Sequence, residues 1–350
     1  MLAPTEALQM NADEKEKYST IRKKLKLVSS IFPSVYDITS NCNLSCEGCY
    51  YYEGEGNLNG SKQLPDEEWV SFFIEEKARG VNFPHIAGGE PSLRPALLLK
   101  AWETWKQGAI YTNGTLPVEK DINFKIIISI WGDKQTDQLL RGKDTWDTIY
   151  KHYANDARAS LLFTVNRLNI DSFPEVMQFA ETLGIDLCIS IYSPTRKRLD
   201  TLEKDPLSVD STVLEKLQEY VVNNNHKHPS IQLISPIEYF SQAADPSSLF
   251  NVDDATNWAK SCSLLDNKKY RHYSSTQKYD KNACCTPYVD CSECRGYLNV
   301  YTRIISNTRE YLANKSLKKL TRFEGILDAY LNMHYPRQSL SSITNEYMAK

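Results

Sequence analysis

The sequence predicts an α/β fold in which parallel strands are joined by crossover helices. Three observations carry this expectation. Helix and strand patterns alternate from Val35 to Ile191. The run Lys125-Ile-Ile-Ile-Ser-Ile130 is almost continuously apolar, as a strand covered on both faces must be. Glycines stand where helical patterns should stop, at Gly80 and Gly184.

Residues 1–34 begin polar and then place Tyr18, Ile21, Leu25, Val28 and Phe32 at helical spacing, with Arg22, Lys23, Lys24 and Lys26 on the other side. This helix is expected to dock on the outside of the fold, a membrane surface being the alternative. Val35–Thr39 is the first strand. Pro65 opens a helix whose first turn carries Asp66, Glu67 and Glu68, where negative charge suits the dipole. The second strand follows at Val81–Ala87, then a helix over Ala96–Lys106. Ala109–Thr112 and Lys125–Ile130 are the third and fourth strands. A helix over Thr145–Ala157 leads to the fifth strand, Ser160–Val165, and the helix Phe173–Leu183 leads to the sixth, Ile185–Ile191. Thereafter Thr195–Pro206 reads as a charged loop, Thr212–Val222 as a helix, Ser230–Ile234 as a short last strand and Ala243–Asn257 as a linker. Helices are expected over Asn299–Ala313 and Leu317–His334.

The chain has 350 residues, of which 41% are hydrophobic, with 21 tyrosines and six tryptophans, enough to bury a full core. A net charge of −3, spread along the chain, supplies no basic face for nucleic acid. With no apolar run of about 18 residues and no secretory pattern at the N-terminus, a cytoplasmic protein without membrane association is expected. Nine cysteines in that reducing compartment call for metal rather than disulfides. They form two groups, with Cys188 alone in a strand pattern as a small buried hydrophobe.

Cys42, Cys46 and Cys49 form a C-x3-C-x2-C run in the loop after the first strand, with no nearby fourth thiolate or histidine to close a zinc tetrahedron. The spacing suits an iron–sulfur cluster held by three of its four irons. Downstream stand Gly88-Gly89-Glu90-Pro91, Tyr111-Thr112-Asn113-Gly114, Ser129-Ile130-Trp131-Gly132 and Thr164-Val165-Asn166-Arg167. Singly each could be a turn or a cap; jointly, from Val35 to Pro194, they resemble the radical S-adenosylmethionine (SAM) enzymes.

The resemblance implies a partial (β/α)6 TIM-like barrel with chemistry at the carboxyl ends of its strands. It also implies a [4Fe-4S] cluster on Cys42, Cys46 and Cys49, and SAM as the second cofactor. Gly88, Gly89, Glu90 and Pro91 would receive the methionyl amine, with Glu90 accepting from it. Asn113 belongs to the end of the third strand. Ser129 and Asn166 would meet ribose hydroxyls or the carboxylate, and Arg167 the carboxylate. The family's aromatic residue before the third cysteine is Gly48 here, so Tyr50 or Tyr51 becomes the candidate adenine contact. The reaction would need a cytosolic reductase, flavodoxin or ferredoxin as electron donor.

Cys262, Cys284, Cys285, Cys291 and Cys294 form the second group. They resemble a shortened SPASM or twitch extension holding one auxiliary [4Fe-4S] cluster, with Cys262, Cys285, Cys291 and Cys294 as ligands and Cys284 the spare. Zinc is the alternative. The expected organisation is an N-terminal helical segment (1–34), a barrel (35–240), an auxiliary-cluster region (241–305) and C-terminal helices (306–350). The expected substrate is a small polar metabolite such as a sugar, nucleotide sugar or amino acid. Modification of a ribosomally made peptide is the second reading, and a non-catalytic iron–sulfur or zinc protein the third.

Overall fold

In the computed structural model, residues 11–55, 63–224, 227–228, 230–235, 237–253, 255, 258–262, 270–279, 289–313, 316–337 and 339 are described. Seven parallel strands form one sheet: β1 (Pro33–Asp37), β2 (Phe83–Ala87), β3 (Ala109–Thr112), β4 (Lys125–Ile130), β5 (Ala159–Val165), β6 (Asp186–Ile191) and β7 (His272–Tyr273). Their order is β6-β5-β4-β3-β2-β1-β7. The first six are laid down sequentially, each beside its predecessor, as right-handed strand–helix–strand units require.

Helices cover the outer face and bury the apolar stripe that each sequence segment encodes. Asp66–Ala78 buries Trp69 and Phe73; Pro95–Trp105 buries Leu97, Leu98, Ala101 and Trp105; Phe173–Leu183 buries six residues from Phe173 to Leu183. Gly184 ends the last of these in the left-handed conformation at φ 66°. Strands β3 and β4 and the helix Phe173–Leu183 have the bounds expected from sequence. The N-terminal helix Ala12–Ser29 is capped by Asn11 and Glu14 and packs along Leu317–His334. Part of its basic side is used there, Lys24 reaching Glu324 at 2.7 Å and Asp328 at 2.6 Å. Among the described residues no helix is long and apolar enough to cross a membrane.

Beyond β6 the structure departs from expectation. The last strand is not Ser230–Ile234, which contributes only a bridge from Leu233 to Leu187; it is β7, added parallel to β1 at the opposite edge. Two residues are too few to show a strand period. The expected loop Thr195–Pro206 contains a helix, Arg196–Thr201, and the expected linker Ala243–Asn257 contains another, Pro246–Phe250, with Phe250 buried. The single helix expected over Asn299–Ala313 is two, Tyr297–Ser306 and Thr308–Ala313. A further helix, Lys134–Arg141, follows β4; Asp133 caps it by accepting from the Gln135 and Thr136 amides.

Candidate active site

The cysteine loop leaves β1 at the carboxyl edge of the sheet and is clamped from two directions. The Glu47 amide donates to the Leu140 carbonyl at 2.7 Å. From the far side the buried Arg198 guanidinium donates to Glu47 at 2.8 Å, Glu53 at 2.7 Å and Asp205 at 2.8 Å. Three carboxylates gathered on the two terminal nitrogens of one guanidinium tie the loop to the segment after β6. Gly48 adopts φ +67°, and a Cβ there would lie 2.5 Å from Leu207 Cδ1 and 3.0 Å from the Tyr192 hydroxyl. Leu207 and Tyr192 therefore occupy the space an aromatic side chain at this position would need. Tyr192 is held in turn by donating to Asp205 at 2.9 Å.

The glycine pair is explained by how closely its backbone approaches the cysteine loop. Gly89 N–H donates to the Thr39 carbonyl at 2.8 Å and Glu90 N–H to the Asn41 carbonyl at 2.7 Å. A Cβ on Gly88 would lie 2.5 Å from the Thr39 oxygen, and one on Gly89 only 2.2 Å from the Asn41 oxygen. Both obstacles are backbone, which cannot rotate away. Gly89→Ala is therefore expected to push the cysteine loop outward, costing about 1–3 kcal/mol or more and lowering iron incorporation. Thermal unfolding together with iron per chain after anaerobic reconstitution checks this, and wild-type values for both would refute the packing argument.

Glu90 is buried, and its three donors are all neutral. Oε1 accepts from the Ser92 amide at 2.9 Å and the Thr112 hydroxyl at 2.7 Å, while Oε2 accepts from the Asn113 amide at 2.6 Å. Burial raises its carboxyl above the ordinary range despite these bonds. No salt-bridge partner for it is found among the described residues, and its hydrogen bonds are to neutral donors alone. Asn113 joins the same network, donating to Asn43 Oδ1 at 2.8 Å and approaching Cys42 Sγ at 3.8 Å.

These groups open onto one cavity of about 300 Å³. Cys42, Cys46, Cys49, Tyr50, Gly88, Gly89, Glu90, Asn113 and Ser129 line it together. Pro91 is buried and opens the short turn Pro91–Leu93. Asn166 is buried, its Oδ1 accepting from the Leu168 amide, and Arg167 pairs with Asp210 at 2.8 Å; neither lines the cavity. The cationic wall is Arg141, which sequence reading missed. Its guanidinium donates to the carbonyls of Ser129 and Asn113, pairs with Asp137 and faces Cys46. The capping Asp133, the Asp137–Arg141 spacing of four and the stop at Gly142 were signals that could have found this helix. Trp131 and Tyr192 complete the wall near the strand ends, and Gly296 to Asn299 close it from the C-terminal segment.

The donor set fits an iron–sulfur cluster with an amino acid ligand beside it. Burial raises the Cys42 thiol and pushes Cys49 up to about 12, so thiolates there need a positive partner such as iron. Among the described residues no three His, Cys, Asp or Glu side chains converge as one metal ion requires.

Cys262, Cys291 and Cys294 are all buried and line a second, small cavity with Phe250, Ala259, Val289 and Asn299. The segment holding two of them is pinned to the rim of the barrel: Arg295 N–H donates to Ser193 Oγ at 2.8 Å, and the Tyr239 hydroxyl donates to the Arg295 carbonyl at 2.7 Å. Cys284 and Cys285 lie outside the described residues. Cys188 is buried inside β6, its thiol pushed up to about 12 by burial, and lies in neither group.

No protein-family model matches the chain. Among curated proteins it is 26% identical over 162 residues to the sporulation killing factor maturation protein SkfB of Bacillus subtilis, covering 42% of this chain and 39% of that protein. It is 27% identical over 232 residues to a probable GTP 3',8-cyclase of Thermoplasma volcanium, covering 57% of this chain and 70% of that protein. Its match thus spans well under half of SkfB. Among solved structures, Streptococcus suis SuiB bound to precursor peptide SuiA superposes with a TM-score of 0.53 at 18% identity, covering 74% of this chain and 62% of that one. SuiB bound to S-adenosylmethionine gives 0.51. At such identity these two establish likeness of fold.

Proposed function

We propose that this chain, which belongs to the radical SAM superfamily, cleaves S-adenosylmethionine reductively and abstracts hydrogen from a carbon of a peptide substrate. The observation that carries the SAM reading is that three cysteines, the buried carboxyl of Glu90 and the buried guanidinium of Arg141 line one cavity. When bound, the cluster supplies the electron that splits SAM into methionine and the 5′-deoxyadenosyl radical that removes the hydrogen.

The chain's own residues bind and orient. Cys42, Cys46 and Cys49 would hold the cluster, leaving one iron for the methionyl amine and carboxylate. Glu90 would accept from an N–H of the amine, a charge-assisted hydrogen bond that satisfies a buried carboxylate otherwise held only by neutral donors. Arg141 takes the carboxylate role in place of Arg167, because its guanidinium already lines the cavity. Ser129 offers a hydroxyl for ribose. Tyr192, in the space beside Gly48, joins Tyr50 as a candidate adenine wall. Apolar side chains such as Leu162, Trp131 and Leu298 would exclude water and competing hydrogen donors. Cys262, Cys291, Cys294 and Cys285 would hold the auxiliary cluster, and an external reductase, flavodoxin or ferredoxin would supply electrons.

The peptide reading replaces the small polar metabolite expected from sequence. It is supported by a maturation protein among the relatives and by a fold neighbour bound to a precursor peptide. The small-molecule reading keeps one support, the GTP 3',8-cyclase match, which covers more of this chain. Reconstituted protein with SAM and reductant should form more 5′-deoxyadenosine when given short peptides encoded beside its gene, and the peptide's mass should change. Stimulation by GTP, with the peptides unaltered, would select the small-molecule reading instead.

A further inference from the structure

Asn299 is shared by the linings of the two cavities. It lines the large one that holds Cys42, Cys46 and Cys49 and the small one that holds Cys262, Cys291 and Cys294. It is buried in the first turn of the helix Tyr297–Ser306, and its Nδ2 donates to Cys294 Sγ at 3.1 Å. The turn cannot drift from the barrel, because Arg295 N–H is bound to Ser193 and the Arg295 carbonyl to Tyr239, which itself accepts from the Ile191 amide at 2.9 Å. Asn299 thus borders both the thiols of the C-terminal site and the larger cavity, on a turn anchored through Arg295.

We propose that Asn299 is a positioning residue that sets the reduction potential of the C-terminal centre, acting through Cys294 from the substrate-cavity wall. This rests on the reading of those cysteines as an iron–sulfur site. An N–H donor on a ligand sulfur stabilises the more negative, reduced state of a cluster, so it raises the potential. Asn299→Asp keeps the shape, removes the donor and adds negative charge beside the sulfur.

The test is a potentiometric titration of the anaerobically reconstituted full chain, followed by electron paramagnetic resonance, with iron counted in each sample. SAM is added in parallel to identify the signal of the first cluster, which it perturbs. In Asn299→Asp the C-terminal centre should be harder to reduce, its ratio of reduced to oxidised form falling roughly tenfold at fixed potential, about 59 mV for one electron. Asn299→Gln, which retains an N–H donor, should recover part of the shift. Should the aspartate variant lose its C-terminal iron, Asn299→Ala carries the same measurement, again with a lower midpoint expected. Full iron with an unmoved midpoint in these variants overturns the inference alone. Wild-type protein with iron for only one cluster overturns both the two-centre reading and the inference.

Discussion

Replacing Cys42, Cys46 and Cys49 together by alanine should abolish 5′-deoxyadenosine formation, reducing it to background in reconstituted protein given SAM and reductant. All three thiols line the same cavity as Glu90 and Arg141, and each would hold a separate iron, so no remaining side chain can substitute. Burial keeps Cys42 and Cys49 protonated without a metal, which leaves the empty loop with neutral groups and little cost in stability. The variant should therefore fold and retain its C-terminal iron. Iron per chain and 5′-deoxyadenosine by chromatography check both parts, and undiminished cleavage in the triple variant would show that the catalytic centre lies elsewhere.

Glu90→Gln should weaken SAM binding strongly while leaving iron in place. The carboxylate is buried among neutral donors, and losing its charge-assisted hydrogen bond to the amine costs about 1.5–3 kcal/mol, a loss of roughly tenfold or more in affinity. Glutamine keeps an acceptor for Ser92 and Thr112 but sets an N–H₂ group against the Asn113 amide, so a drop of about 1–3 kcal/mol in stability should accompany it. Equilibrium binding of SAM to iron-replete protein separates these effects. If Glu90→Gln loses as much iron as Cys46→Ala, the segment's role is to build the cysteine loop and not to receive the amine.

The site was legible where its signal is local. Cysteine spacing, the glycine pair with Glu90 and the apolar run of β4 are each contained in a few adjacent residues, and strand ends in a parallel sheet bring such segments to one edge. Even so, the glycines have a reason that spacing alone does not disclose: they sit against the Thr39 and Asn41 carbonyls from a distant part of the chain. Arg141 and Arg167 illustrate the opposite case. Arg167, directly after β5, turns outward to Asp210, while Arg141, at the end of the helix after β4, is drawn in by Asp137 and the Ser129 carbonyl. The partner that holds Arg167 away from the cavity, Asp210, lies far along the chain, whereas Arg141's Asp137 is one helical turn away.

By itself the sequence determined the alternation of strands and helices through Ile191, the three-thiol loop, the segments that meet it and the presence of a second cysteine group. These follow from residue period, turn chemistry and ligand spacing, which act over a few residues. Only the tertiary structure decided that Tyr192 and Leu207 fill the space beside Gly48, that Arg198 gathers Glu47, Glu53 and Asp205, that β7 joins β1, and that Asn299 is shared by the linings of the two cavities. Each of those joins residues distant in sequence, and their proximity arises because burying charge and apolar surface is favourable only when all partners arrive together.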